Sequence, residues 1–260
     1  MLRNLKDLHG YSIRATDGDI GKVKDFYFDD ERFTVRYLVV ETGGWRSSRK
    51  VLISPFSIGE HNHIDKVLPV SITKEQVKNS PDIDTDKPVS RQHEADYLAY
   101  YGYPDYWGGV GLWGSEALPG TMTGVGYLGV PPSPELDKSI ADARALRHAN
   151  DDPHLRSCKE VTGYHIKASD GEIGHIQGFI VDEQSWAIRY LVADTSNWWM
   201  GHQVIVSPSW IQDVSWAERN VTVHMTQKAI QDAPPYDPVV LIDRAQEIGI
   251  YEHYGRPGYW

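Results

Sequence analysis

Cysteine is almost missing from this sequence: Cys158 is the one thiol in 260 residues. A lone cysteine excludes an intramolecular disulfide and a cysteine-based metal cluster. Without a catalytic signature around it, the residue reads as a small, partly buried side chain. Long apolar runs are missing too. No stretch approaches the length needed to cross a bilayer, and Met1 to Lys6 carries basic residues without the apolar core of a signal peptide. The expectation is a cytoplasmic protein with no membrane insertion. Basic charge is also in short supply, with 26 Lys and Arg against 36 Asp and Glu and a formal net charge of −10. Affinity gained by neutralising phosphates needs the opposite balance, so no nucleic-acid partner is expected. The densest basic cluster, Arg46, Arg49 and Lys50, is small.

Signatures of chemistry are equally scarce. No Ser, Thr or Cys sits in a nucleophile elbow, and Gly108-Gly109-Val110-Gly111 lacks the strand, helix and Lys of a phosphate-binding loop. His61-Asn62-His63 is the closest histidine pair among eleven histidines. Val214 and Trp216 stand at the matching places of the second half, and no further ligand pair follows at metal spacing. The expectation is therefore no catalytic residue, no cofactor and no metal.

What the chain has is a repeat. Sliding it by 153 residues aligns His9 to Trp107 with Thr162 to Trp260 without a gap, at about 30% identity. Asp17-Gly18-Asp19-Ile20-Gly21 returns as Asp170-Gly171-Glu172-Ile173-Gly174, and Arg36-Tyr37-Leu38-Val39 as Arg189-Tyr190-Leu191-Val192. Ser54-Pro55 matches Ser207-Pro208. The tail Tyr101-Gly102-Tyr103-Pro104-Asp105-Tyr106-Trp107 recurs as Tyr254-Gly255-Arg256-Pro257-Gly258-Tyr259-Trp260. The domain organisation follows: residues 1–107 as one unit, 108–156 as a Gly/Pro-rich linker with one helix, and 157–260 as the second unit.

Within a unit the local chemistry is β-rich. Tyr11 to Ala15, Gly21 to Asp29, Val35 to Glu41, Val51 to Ser54 and Val67 to Ile72 read as strands, with Asp17-Gly18 as a hairpin turn. Pro55, with no N–H to give, ends the fourth strand. Thr73 with Gln76 forms a capping box, and Thr226 repeats the cap with Ala229 in place of Gln. A second helix is expected from about Ser90 to Tyr101, and its partner from about Asp243 to Tyr254. In the linker, Ser133-Pro134-Glu135 opens a helix with Leu136, Ile140, Ala143 and Leu146 on one face.

These residues resemble the PRC-barrel domain. The segment Asp17-Gly18-Asp19-Ile20-Gly21-Lys22-Val23 with Asp29, the strand Arg36-Tyr37-Leu38-Val39-Val40, and Val51-Leu52-Ile53-Ser54-Pro55 carry the likeness. The second copy carries it again, from Gly163-Tyr164-His165-Ile166 through Asp194-Thr195-Ser196-Asn197-Trp198-Trp199 to Val204-Ile205-Val206-Ser207-Pro208. The family includes the cytoplasmic domain of the photosynthetic reaction-centre H subunit and a domain of a ribosome maturation factor. The resemblance implies a small closed β-barrel that docks on other macromolecules, and it implies no reaction. The chain is most similar to stand-alone bacterial tandem PRC-barrel proteins, because it lacks the membrane helix of the one and the N-terminal domain of the other.

The expected fold is therefore mainly β: two tandem small barrels with short flanking helices, arranged as a pseudo-two-fold intramolecular dimer. Nine Trp and fifteen Tyr exceed what two small cores usually hold. Trp45, Trp107, Trp198, Trp199 and Trp260 either cap the barrels or present an aromatic surface to a partner. The Arg-Tyr-Leu-Val strand is apolar on both faces, which nominates Leu38, Val40, Leu191 and Ala193 as an inter-repeat interface. The paired carboxylates of the Asp-Gly segments read as turn chemistry. The function expected is a non-catalytic cytoplasmic scaffold or adaptor with a protein partner, either a monomer with an internal pseudo-dimer or a weak homo-oligomer. The alternative is an accessory or assembly factor of a membrane photosynthetic or electron-transfer complex.

Overall fold

The computed structural model describes residues 1–43, 49–81, 89, 91–107, 109–119, 154–195 and 201–260. It opens with β1 (Leu2–Asn4) and a single turn, α1 (Leu5–Leu8), then β2 (Ser12–Ala15), β3 (Gly18–Asp29), β4 (Thr34–Thr42) and β5 (Arg49–Ile53). Ser54 accepts from the Phe56 amide and caps a 3-10 turn, Pro55–Ser57, so the strand ends where proline takes away its donor. β6 (Val67–Pro69) stops at its own proline. Thr73 then starts α2 (Lys74–Lys78) through the expected capping box with Gln76, and α3 (Arg91–Tyr101) follows.

The second half repeats this order: β7 (Leu155–Ser157), α4 (Cys158–Val161), β8 (His165–Ala168), β9 (Gly171–Asp182), β10 (Ile188–Asp194) and β11 (Gln203–Val206). A second 3-10 turn, Pro208–Trp210, leads into β12 (Ile211–Ser215) and β13 (Asn220–Val223). Thr226 caps α5 (Gln227–Gln231), and Asp243 caps α6 (Arg244–His253) in a capping box with Gln246. The β3–β4 and β9–β10 turns place Phe33 and Trp186, equivalent residues, at φ of 49° and 58°.

The chain forms two compact units whose borders cross the repeat. One consists of residues 9–156 with 184–186, the other of 1–8, 157–183 and 187–260. The first-repeat unit holds a sheet in the order β5-β4-β3-β2-β6, with β7 added to β3. The second-repeat unit holds β11-β10-β9-β8-β13-β12, with β1 added to β9. Each sheet thus takes its short extra strand from the start of the other repeat. β1 runs antiparallel to β9, with Leu2 opposite Asp182 and Asn4 opposite Ile180.

Hydrogen bonding leaves both strand orders open among the described residues, with β5 and β6 as ends in one sheet and β11 and β12 in the other. In each case the chain rounds the gap through the 3-10 turn. After it, Ile58 bridges Val70 in the first unit, where β12 pairs β13 from Ile211 and Val223 in the second. Gly59 follows Ile58 and is replaced by Gln212 in the second copy, which helps explain why a bridge stands in place of a strand.

The cores are apolar and dense. Thr34 to Val40 are all buried, and Leu38 lies opposite Phe26 and Ile53. Leu191 lies opposite Phe179 and Val206. Leu38, Val40, Leu191 and Ala193 are each at most 1% exposed. Burial of a leucine of that kind contributes roughly 2 kcal/mol. Cys158 is buried at the first residue of α4. The expected linker helix lies outside the described residues.

Candidate functional site

The two carboxylates of each Asp-Gly segment have separate structural duties. Asp17 Oδ1 accepts from the Lys74 amide at 2.8 Å, and Asp170 Oδ1 from the Gln227 amide at 2.7 Å. The turn aspartate therefore receives the first N–H of the short helix after β6 or β13, a donor with no partner inside the helix. The second carboxylate pairs across the hairpin: Asp19 with Arg14 at 3.0 Å, Glu172 with His165 at 2.7 Å. Neither copy aims its two carboxylates at one another's proton. The glycine closing the motif is steric. A Cβ on Gly21 would lie 2.0 Å from the Glu41 carbonyl oxygen, and one on Gly174 1.9 Å from that of Asp194.

Beside this anchor the first-repeat unit opens a cleft of about 660 Å³, walled by Asp17, Asp19, Ile20, Thr42, Arg49 and Val51 together with most of α2. Arg49 fixes its far wall by donating to the carbonyls of Lys78 and Ser80, each at 2.8 Å. His202, the matching residue of the second copy, makes the same tie to the Ala233 carbonyl at 3.3 Å. Lys74 and Lys78 are exposed on the cleft wall, and Gln227 and Gln231 stand at their places in the second copy. Among the described residues the lining contains no His, Cys or Ser. Its hydroxyl, that of Thr42, donates to the Arg49 carbonyl at 3.0 Å.

A buried polar cluster ties each C-terminal helix and tail to its sheet. In the first-repeat unit the Glu94 carboxylate, 1% exposed, accepts from the hydroxyls of Tyr37 on β4 and Tyr106 in the tail. Arg36 Nε donates to Asp29 at 2.6 Å with both side chains buried, and its guanidinium stacks 3.9 Å from the Tyr106 ring and 4.7 Å from the Trp113 ring. The second-repeat unit repeats its carboxylate, its two tyrosines and its stacked arginine. Glu247 accepts from Tyr190 and Tyr259 at 2.7 Å each, and Arg189 lies 4.1 Å over Tyr259. Burial, with the Glu94 charge adding to it, pushes the Tyr37 phenol well up; burial and Glu247 do the same for Tyr190. These phenols stay protonated and donate to the carboxylate, which suits fastening better than proton transfer.

The tail aromatics divide accordingly. Tyr106 is buried and Trp107 half-buried against it, ring centroids 4.9 Å apart. Trp260 is 54% exposed and lies between Arg244, 4.4 Å from its ring, and Tyr251 at 5.2 Å. Trp45, Trp198 and Trp199 lie outside the described residues. The rings of His61 and His63 pack edge to face at 5.1 Å, and His63 Nδ1 lies 3.3 Å from the Tyr11 hydroxyl.

Sequence reasoning missed the residues that fasten the exchanged strands. Arg3 Nε donates to Glu183 at 2.6 Å, and Arg156 Nε to Asp30 at 2.8 Å. Both members are equivalent across the repeat, Arg3 with Arg156 and Asp30 with Glu183. The signal was present: Leu2-Arg3 and Leu155-Arg156 extend the 153-residue match beyond His9, and Lys6 matches Lys159.

Residues 2–77 match the family model described as PRC-barrel domain, a span running from β1 through most of α2. An uncharacterized protein of Deinococcus radiodurans is 34% identical over 84 residues, which are 32% of this chain and 30% of that protein. The chain thus spans less than a third of that relative's length.

Proposed function

Residues 2–77 belong to the PRC-barrel domain family, and on that premise we propose that the chain is a non-catalytic adaptor that docks a protein partner through the cleft beside α2. In this reading the chain is a tandem of two such domains forming an internal pseudo-dimer. In the same reading each sheet closes into a barrel at its 3-10 turn, which the adjacency in sequence of the two ends of each strand order supports. The exchange of first strands and the matched Arg–carboxylate fasteners support the pseudo-dimer.

The observation that carries the adaptor reading is the cleft itself. It is open, its floor is apolar with Ile20, Val51 and Val77, and its charged rim differs from that of the second copy. Ligand sites usually combine an apolar surface with a few fixed polar groups. No helix among the described residues is long and apolar enough to cross a membrane.

Capture from the native host tests the reading, using the full chain, a Lys74→Glu/Lys78→Glu variant and a matched Gln227→Glu/Gln231→Glu control. A stoichiometric soluble partner kept by the wild type and the control and lost by the cleft variant is the expected result. Equal retention by all three chains removes the cleft as the docking site. Recovery of membrane photosynthetic or electron-transfer complexes replaces the soluble-adaptor reading with the accessory role.

A further inference from the structure

The edge of β9 behaves as a receptor for an extended peptide. Its ligand, residues 1–8, contributes a three-strand-residue ladder, three buried leucines and a set of polar anchors. Leu2 is 8% exposed, Leu5 2% and Leu8 1%. Arg3 is held by Glu183 at 2.6 Å, the N-terminal ammonium lies 3.6 Å from Asp182, and Asn4 donates to the Tyr236 hydroxyl at 3.3 Å. Gly178 leaves the surface bare where Asn4 and Lys6 cross: their side chains would lie 3.5 and 3.6 Å from a Cβ placed there. The same kind of ligand occurs a second time. Leu155-Arg156-Ser157 pairs with β3, with Leu155 buried and Arg156 held by Asp30. Two receptors holding one motif, Leu-Arg followed by a small polar residue, define a recognition rule that one instance would not.

We infer that the β9 edge is a strand-acceptor site, and that a second copy of this chain supplies the Leu-Arg-Asn strand to it, giving a homodimer with reciprocally exchanged N-termini. Each of these contacts forms unchanged when the donor belongs to another molecule, so the two arrangements differ in chain connectivity and in the entropy of association. The hinge is short: only His9, Gly10 and Tyr11 separate α1 from β2, and Gly10 takes φ of 79° with no atom within 4 Å of its would-be Cβ. Short hinges that carry a terminal element across to another sheet are where such exchange arises. The chain's own N-terminus competes at an effective concentration of roughly millimolar. The dimer therefore forms when chains refold together at high concentration, and it persists on dilution because release requires β1 to leave its sheet. This inference is independent of the adaptor reading, because it concerns β9 and leaves the α2 cleft untouched.

Charge reversal across the fastener tests it in the full chain. Arg3→Glu and Glu183→Arg each set like charges against one another when a chain receives its own strand or that of an identical chain. Mixed and refolded together, the two variants match at both acceptors of a heterodimer, the reversed donor meeting the reversed acceptor and the unreversed donor the unreversed acceptor. The expected result is a 1:1 species of twice the single-chain mass in the mixture, absent from either variant alone, and a single-chain species from the doubly reversed chain when dilute. A second pair keeps the fastener intact. In a Cys158→Ser background, chains carrying Leu2→Cys and Asp182→Cys, opposite one another on β1 and β9, should form a covalent heterodimer after joint refolding. A control pairing Leu2→Cys with Lys228→Cys should form none. A mixture that stays at single-chain mass, or cross-linking no greater than the control, overturns the inference.

Discussion

Arg3 and Glu183 are 180 positions apart in the chain, yet the arginine Nε donates to the carboxylate at 2.6 Å with both side chains about nine-tenths buried. A charge-assisted hydrogen bond in that setting fixes the register of β1 as well as its attachment. Arg3→Ala removes this charge-assisted bond and should lower stability by about 2 kcal/mol. Chemical denaturation of Arg3→Ala, Glu183→Ala and the double variant checks this. The double variant should lose less than the sum of the single losses, because the pair acts as one unit.

The two motif glycines should tolerate no side chain. Gly21→Ala and Gly174→Ala drive a methyl into a backbone carbonyl of the neighbouring strand. Each should cost roughly 2 kcal/mol or more, since the strand pair must separate. Gly249 provides the contrast, lying in α6 with nothing within 4 Å of its would-be Cβ. Gly249→Ala should raise stability by about 0.5–1 kcal/mol through helix propensity. Thermal melts of the three variants decide the ordering.

Asp17 and Asp170 should matter for stability, with no effect on any turnover. Asp17→Ala removes the acceptor for the Lys74 amide, and Asp170→Ala that for the Gln227 amide; each should cost about 1 kcal/mol. Amide hydrogen exchange should quicken at the first turn of α2 in one variant and of α5 in the other. A variant that leaves exchange unchanged at its helix would remove the anchoring role.

Stability should fall in alkali. Burial, followed by the hydrogen bond and charge of Glu247, pushes Tyr259 up to about 12, and burial pushes Tyr101 up to about 12. Tyrosine in an unfolded chain titrates near 10. These folded phenols therefore keep protons that the unfolded chain has lost, so their contribution is complete below about pH 10 and disappears as pH rises towards 12. Denaturant midpoints measured across that window should decline, and Tyr259→Phe should make the decline shallower.

Much of the fold could be read from local chemistry. Pro55, Thr73 and Asp243 end or start elements where their side chains dictate, because a missing donor or a capping oxygen acts within three residues. The likeness of residues 2–77 to PRC-barrel domains was carried by turn, strand and glycine positions of the same local kind. The cleft was less legible. Arg49, Lys74 and Thr42 come from separate elements, and a surface between elements leaves no periodic trace.

The sequence by itself determined that the chain is mainly β, that its two halves share one order of elements, and that the Asp-Gly turns, caps and prolines stand where they do. Each of these follows from short-range forces acting on a few neighbouring residues. Only the tertiary structure decided which sheet receives which first strand. Leu2-Arg3-Asn4 and Leu155-Arg156-Ser157 are too short to carry a periodic signal, and Asp30 and Glu183 offer both arginines the same kind of carboxylate. Local chemistry is therefore nearly indifferent between a strand kept at home and a strand exchanged. The choice falls to chain connectivity and to which sheet edge the three-residue hinge of His9, Gly10 and Tyr11 allows the strand to reach.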